Sequence, residues 1–342
     1  MKKLAKALLT LTLGAGIALS AAALSACGSS KETLIDGDFS TQATEAQLTT
    51  LRGYVSDFNS DDLLGDTEAG GWSYNARYNA SGSISASGSV SMEGQTAGMD
   101  LDTDVNYDHT ISMANVDSGV SVRGSGNMSY GFNLSMSSPG EEDYRISAEL
   151  DGSSYNDEDY FYLNGSVNLN DNGSGQIQST KVKFDLDMLF GNIFQTGSTS
   201  SGMIVDISPA LDALEAAGAA VYVDESSSFK VKISLSSQGW AEMYAEAIED
   251  FAGMVGSYID LNVIANNTDF GHCDIYLDFN KDTGVLLGYG SSVDAEFGYS
   301  ATVSGASVSV TYDMDIDSWF VSTDEEAGQL PSDLGEYQYA VM

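Results

Sequence analysis

The chain has 342 residues, of which 50 are acidic and only 13 are basic, so its formal net charge is −37 at neutral pH. Nucleic-acid binding depends on basic patches that displace counterions, so this charge balance excludes DNA and RNA as expected partners. The chain has two cysteines, Cys27 and Cys273. Cys27 follows an expected signal-peptide cleavage point, described below, and is not expected to form a disulfide. Cys273 is therefore left without a disulfide partner and is predicted to be a small buried hydrophobic residue.

Residues 1–26 have the three parts of a secretory signal peptide. Three lysines make the start positive, residues 7–24 are apolar, and two small residues precede the expected cleavage point. The segment carries no acidic residue, so cleavage leaves 10 basic and 50 acidic residues and a formal charge of −40. After the cleavage point, residues 27–40 are predicted to form a flexible polar tether.

The end of this segment, Leu24-Ser25-Ala26-Cys27, resembles the lipobox of bacterial lipoproteins. The resemblance implies that Cys27 receives a diacylglyceryl group and becomes the first residue of the mature chain. Two acyl chains suffice for stable anchoring, and no other stretch has the roughly 20 consecutive apolar residues of a spanning helix. We therefore expect an extracytoplasmic protein, lipid-anchored to the bacterial cell membrane or outer membrane. The alternative is an ordinary signal peptide followed by an incidental cysteine.

A helix is predicted directly after the tether, and a long β region follows it. Thr44 and Gln47 form a capping box at the helix start, and apolar residues then recur at spacings of three and four. From about Trp72 to Leu189, apolar and polar residues alternate, which predicts antiparallel strands with one apolar and one polar face. Turn residues separate the predicted strands at Glu93-Gly94, Pro139-Gly140, Asp151-Gly152 and Asn172-Gly173.

Two more helices and a second group of strands are predicted in the remaining chain. Ser208 and Pro209 indicate the start of one helix, and Gly218 indicates its end. The third helix is predicted over residues 237–254. Its apolar stripe consists of Trp240, Tyr244, Ile248 and Phe251. Strands then return between residues 261 and 318.

These elements predict a single domain over residues 41–320, followed by an acidic tail over residues 321–342. About ten strands, spaced about 4.8 Å apart, make a sheet roughly 48 Å wide. Three helices, each about 10 Å across, cannot cover it. We therefore expect a mainly antiparallel α+β fold, in which a sheet curled into a half-barrel carries helices on its concave face. A two-sheet β-sandwich is the alternative.

The order of elements and the late hairpin at residues 275–284 are similar to the LolA/LppX-type lipoprotein and lipid-carrier superfamily. The resemblance implies a U-shaped half-barrel that holds acyl chains under its helices. On this basis we expect Trp240, Tyr244, Ile248 and Phe251 to line a ligand cavity, although the same stripe would equally suit a helix docked on a dry core.

The sequence contains no catalytic motif and no metal motif. Its two histidines lie in separate strand contexts, and no nucleophile elbow, phosphate loop or zinc-spaced histidine pair occurs. Alternating aspartates such as Asp313 and Asp315 are typical of the solvent-exposed face of a strand. We therefore predict a non-enzymatic protein without a cofactor that binds a lipid or another apolar ligand. The alternatives are a surface module that binds glycan or protein and, as the weakest hypothesis, a hydrolase with dispersed carboxylates.

Overall fold

The computed structural model describes residues 35–56, 74–116, 119–140, 142–185, 208–216, 218–239, 268–303 and 306–339. Cys27 lies outside these ranges. So does the predicted stripe of the third helix, which consists of Trp240, Tyr244, Ile248 and Phe251. The predicted lipid attachment and the predicted cavity lining therefore stay predictions.

One sheet dominates the described residues, of which 68% are in strands. Its strands are β1 (Tyr74–Met92), β2 (Gln95–Val116), β3 (Gly119–Ser137), β4 (Tyr144–Asn156), β5 (Tyr160–Asp171), β6 (Ser174–Asp185), β7 (Ala220–Asp224), β8 (Phe229–Leu235), β9 (Thr268–Phe279), β10 (Leu286–Val303), β11 (Ala306–Ser322) and β12 (Gln338–Tyr339). The helices are α1 (Glu45–Ser56), α2 (Ser208–Ala216) and a 3-10 turn at Leu334–Glu336. Among the described residues, none of these helices has the length and apolar content that a membrane crossing requires.

The twelve strands follow the order β12-β6-β5-β4-β3-β2-β1-β11-β10-β9-β8-β7 across the sheet. Strands β1 to β6 form one antiparallel meander and β7 to β11 form a second. The two meanders join where β1 pairs with β11 over most of its length. Strand β12 adds a short parallel pairing to β6. The outermost strands, β7 and β12, do not pair with each other, so the sheet is not closed.

The predicted α+β half-barrel with helices on its concave face is wrong. The protein is mostly β, and the described helices are three short ones. Helices α1 and α2 pack on one end of the sheet, where Leu51 and Leu211 join a buried cluster with Phe229 and Phe279. A β-sandwich is not found either, because every described strand belongs to one sheet. The strands are long, since β1, β2 and β3 have 19, 22 and 19 residues, and β4 continues through Gly152, where a turn was predicted.

The predicted capping box and three of the four predicted turns are confirmed. The Thr44 backbone N–H donates to the Gln47 side chain at 2.9 Å, and the Gln47 N–H donates back to the Thr44 hydroxyl at 3.3 Å. The β1–β2 and β5–β6 hairpins turn through two residues with positive φ, at Glu93-Gly94 and Asn172-Gly173. Such turns match the right-handed twist of the strands they connect. The predicted turn at Asp151-Gly152 is wrong, because both residues lie inside β4.

The segment after β11 crosses the polar face of the sheet and attaches to it. The Ala327 N–H donates to the buried Ser112 hydroxyl at 2.8 Å, and the Arg123 guanidinium donates to the Ala327 carbonyl at 2.7 Å. Farther along, Lys181 pairs with Asp333 and with Glu336. Residues 323–339, whose composition predicted an acidic tail without periodicity, thus form a strap that reaches from β2 to β6 before ending in β12.

Candidate functional site

The candidate site lies on the apolar face of β3, β4 and β5. Directly paired residues share a face of a sheet, so the register places apolar side chains in cross-strand rows. We call this set the β3–β5 patch, and it consists of Tyr130, Phe132, Leu134, Ile146, Ala148, Leu150, Val167 and Leu169. Tyr130 is 37% exposed and Leu169 is 41% exposed, and the other members are half-buried.

One margin of the β3–β5 patch is continuous with a buried part of the same face. Phe132 and Leu134 pack against a cluster that includes Leu101, Tyr312 and Met314. Strand β3 rises about 3.4 Å per residue, so the patch, which runs from residue 130 to residue 134 on this strand, is roughly 14 Å long. The patch is therefore an apolar surface beside a buried core.

Three glycines show that the sheet bends toward this apolar face. A Cβ added to Gly126 would lie 2.0 Å from the Asp108 carbonyl oxygen. A Cβ on Gly152 would lie 2.8 Å from the Gly165 Cα, and the two residues are paired across β4 and β5. Glycine in a strand marks such close backbone approach. The neighbouring backbones lie on the apolar side of these glycines, which indicates that the sheet curves toward its apolar face here.

A buried polar network closes the end of the patch nearest these glycines. The His109 Nδ1 lies 2.8 Å from the Ser154 hydroxyl, and the His109 Nε2 lies 2.8 Å from the Asn156 amide oxygen. The Asn156 amide nitrogen donates to the Asp157 carbonyl, which orients the amide. An amide oxygen only accepts, so Nε2 carries the proton and Nδ1 accepts the hydrogen of Ser154.

The imidazole of His109 is neutral because it is buried. Burial lowers the pKa of His109 to about 4, although the hydrogen bond to Asn156 raises it in part. The Tyr107 ring stacks on the imidazole with centroids 5.2 Å apart, and Tyr78 meets Tyr107 edge-on. There is no room for a side chain at Gly124, where an added Cβ would lie 2.2 Å from the His109 Nε2.

A serine, a histidine and an asparagine in this order are the chemical parts of a base-activated hydroxyl nucleophile. However, Ser154 is 0% exposed and His109 is 1% exposed, so a substrate cannot reach the hydroxyl in this structure. The network instead satisfies three polar groups inside an apolar face, which holds β2 and β4 in register. Sequence reasoning missed it because His109 and Ser154 are 45 positions apart.

The acidic turn between β4 and β5 makes contacts within the protein. Asp157 accepts the backbone N–H groups of Asp159 and Tyr160, and the Tyr162 hydroxyl donates to it at 2.8 Å. Glu158 accepts the Ser121 hydroxyl at 2.7 Å. Within the described part of the chain, no group of three or more potential ligands is arranged to hold a metal ion.

Two other features are weaker candidates. Cys273 is buried, as the sequence predicted, and burial raises the pKa of its thiol to about 12, so it is a poor nucleophile. A hollow of about 330 Å³ lies between α1 and α2, lined in part by Val55 and Leu211. Arg52 also lines it and pairs with Asp212 at 2.9 Å. Its charged wall suits an apolar chain less well than the β3–β5 patch does.

Comparisons with known proteins do not identify a family. No family model matches the chain, and no curated protein matches it. The translocator domain of the autotransporter NalP from Neisseria meningitidis is 8% identical, with 81% of this chain and 96% of that chain covered at a TM-score of 0.19. A β-barrel-like protein of a domain of unknown function from Brucella abortus is also 8% identical, with coverage of 69% and 97% at a TM-score of 0.14. At these TM-scores neither likeness supports a conclusion about fold or function.

Proposed function

We propose that this protein is a lipid-anchored, extracytoplasmic lipoprotein that binds an acyl chain on the β3–β5 patch. The observation that carries the proposal is the contiguous half-exposed patch itself. Soluble proteins rarely leave contiguous apolar surface in water unless it binds something. The proposed anchor at Cys27 would hold this surface near a membrane, which is the source of acyl chains.

The dimensions and chemistry of the patch suit an acyl chain. The apolar core of a bilayer is about 30 Å thick, so one leaflet contributes acyl chains of about 15 Å. The patch is roughly 14 Å long on β3, which is close to that length. All eight members of the patch are apolar or aromatic, whereas the opposite face of the same strands carries Glu149 and Asp151. The contact is therefore with hydrocarbon, and the anionic body excludes an anionic headgroup as the main attraction.

Tyr130 is the polar group best placed to orient such a ligand. Its ring belongs to the patch and is 37% exposed. Burial raises the pKa of its phenol, and the nearby Asp104 carboxylate raises it further. The phenol therefore stays protonated at neutral pH and can donate a hydrogen bond to a carboxyl or ester group at the end of an acyl chain.

The anchor is tested by changing Cys27 to alanine. We expect the Cys27→Ala chain to incorporate no fatty-acid analogue during metabolic labelling, because the thioether needs the cysteine sulfur. The unchanged chain should be labelled and should partition with membranes. Equal labelling of both chains would contradict the anchor.

Ligand binding is tested with a fluorescent fatty-acid analogue, on a chain carrying Cys27→Ala so that its own acyl chains cannot compete. We expect saturable binding that Leu150→Asp weakens at least tenfold, because a buried unpaired carboxylate costs more than the ~1.4 kcal/mol that a tenfold change represents. Glu149→Asp is the matched control, since Glu149 is the preceding residue of β4 and is exposed on the opposite face.

The control should bind as the parent chain does, and circular dichroism should show both variants folded. A folded parent chain that binds no acyl probe would rule out the ligand proposal, and the Cys27 labelling result would stand apart from it. Equal affinity of both variants would place the ligand elsewhere on the protein.

A further inference from the structure

The outer edge of β6 is only partly covered. Strand β12 pairs with β6 at Val182 and Lys183. No strand among the described residues pairs with the outer side of residues 174–180. A row of backbone donors and acceptors therefore faces outward along this stretch, which we call the free β6 edge.

The hairpin geometry shows which backbone groups face outward. The β5–β6 turn has two residues, Asn172 and Gly173, and its closing pair joins Asp171 to Ser174. In such a hairpin the closing pair is hydrogen-bonded, and the bonded pairs then alternate along the ladder. The intervening residues direct both N–H and C=O away from β5. On the free β6 edge these residues are Gly175, Ile177 and Ser179.

The free β6 edge lacks the features that normally block strand addition. Natural edges carry lysines, prolines or bulges that prevent pairing with another chain. Residues 174–180 contain no charged residue and no proline, in a chain with a net charge of −37. Ile177, at the centre, is 78% exposed, the largest exposure among the large hydrophobic residues of the described chain.

We infer that two copies of the protein pair antiparallel through the free β6 edge, about a two-fold axis at Ile177. In this register Ile177 lies opposite Ile177 of the other protomer, and Gly175 lies opposite Ser179. All three outward residues then exchange both hydrogen bonds, which makes about six bonds between the protomers. The interface extends the 12-stranded sheet into a continuous sheet across two protomers.

The limits of the free β6 edge favour a second copy over an unrelated peptide. Ile177 is the central residue of the free β6 edge, residues 174–180, which lies between the hairpin turn at Gly173 and the β12 pairing at Val182. The symmetric register places the turn of one protomer beside Lys181 of its partner, one residue short of β12. A second copy thus fills the stretch without overlapping β12, and the same patch meets itself, as a two-fold interface requires. This inference does not depend on acyl binding.

The pairing is tested by sedimentation equilibrium on the chain carrying Cys27→Ala. We expect a monomer–dimer equilibrium, since a short edge contact is a weak interface. Ile177→Pro removes the central N–H and should raise the dimer dissociation constant at least tenfold. The matched control Ile177→Thr keeps the N–H and the strand preference and should remain dimeric. A chain that is monomeric at its highest soluble concentration would overturn the inference.

A second measurement does not depend on whether the proline variant folds. Opposite residues of a hydrogen-bonded antiparallel pair have Cα atoms about 5.5 Å apart, within disulfide range. Ile177→Cys should therefore give a disulfide-linked dimer on mild oxidation, and Leu169→Cys, an exposed position on the neighbouring strand, should not. The buried Cys273 stays unreactive. Equal cross-linking at both positions would show random collision and would also overturn the inference.

Discussion

Replacing His109 with glutamine should remove a large part of the acid sensitivity of this protein. Burial lowers the pKa of His109 from 6.5 to about 4, so the unfolded chain binds a proton that the native chain does not between these two pH values. Stability therefore rises with pH across this window and is fully present above its upper limit. The linked free energy is roughly 3 kcal/mol. As the pH decreases from 6.5 to 4, the unfolding free energy of the unchanged protein should fall by roughly 3 kcal/mol more than that of the His109→Gln variant.

The 50 acidic residues also titrate as the pH falls, so a matched variant is needed. His272 is the second of two histidines in the chain, and it is exposed on β9. His272→Gln should retain the steep pH dependence of the parent protein. Urea unfolding at several pH values measures all three chains. Parallel curves for His109→Gln and His272→Gln would mean that His109 is accessible to protons in the native state.

Placing a methyl group at Gly126 should destabilise the protein by about 3 kcal/mol or more, because a closely packed site cannot take the added volume. The new Cβ would lie 2.0 Å from the Asp108 carbonyl oxygen and 2.5 Å from the His109 Cα. Both are backbone atoms and cannot rotate away. We therefore expect Gly126→Ala to separate β2 from β3 locally and to break the His109 hydrogen bonds.

Gly298→Ala is the control for this change, because Gly298 also lies in a long strand and has nothing within 4 Å of an added Cβ. The control should be neutral or slightly stabilising, since alanine loses less backbone entropy than glycine. Urea unfolding midpoints compare the two variants. If both midpoints match that of the parent protein, the proposed bend of the sheet at Gly126 is contradicted.

The β3–β5 patch and the free β6 edge lie in neighbouring parts of the sheet that differ in packing. Bulky side chains cover the sheet around Leu101 and Met314, whereas the glycines at 126, 152 and 165 bring the backbones together. Toward β6 the apolar face becomes progressively more exposed, and residues 171–179 are exposed throughout. The acyl-chain and dimer proposals therefore concern neighbouring but separate surfaces, one on the face of the sheet and one on its edge.

The features that the sequence predicted correctly depend on interactions between residues close together in the chain. The capping box at Thr44 and Gln47, the turn at Asn172-Gly173 and the helix end at Gly218 each depend on hydrogen bonds or backbone angles within a few residues. The alternation of apolar and polar residues likewise determined that the chain is β-rich, because side chains in a strand point to opposite faces in turn.

Only the tertiary structure decided the architecture and the polar network. Gly152 was predicted to be in a turn, yet it lies in β4, where its partner Gly165, 13 positions away, approaches too closely for any side chain. His109 meets Ser154 only when β2, β3 and β4 pair in register. The number, length and order of the strands depend on such cross-strand contacts. These contacts join residues that are far apart in the sequence, so no local stretch of the sequence predicts them.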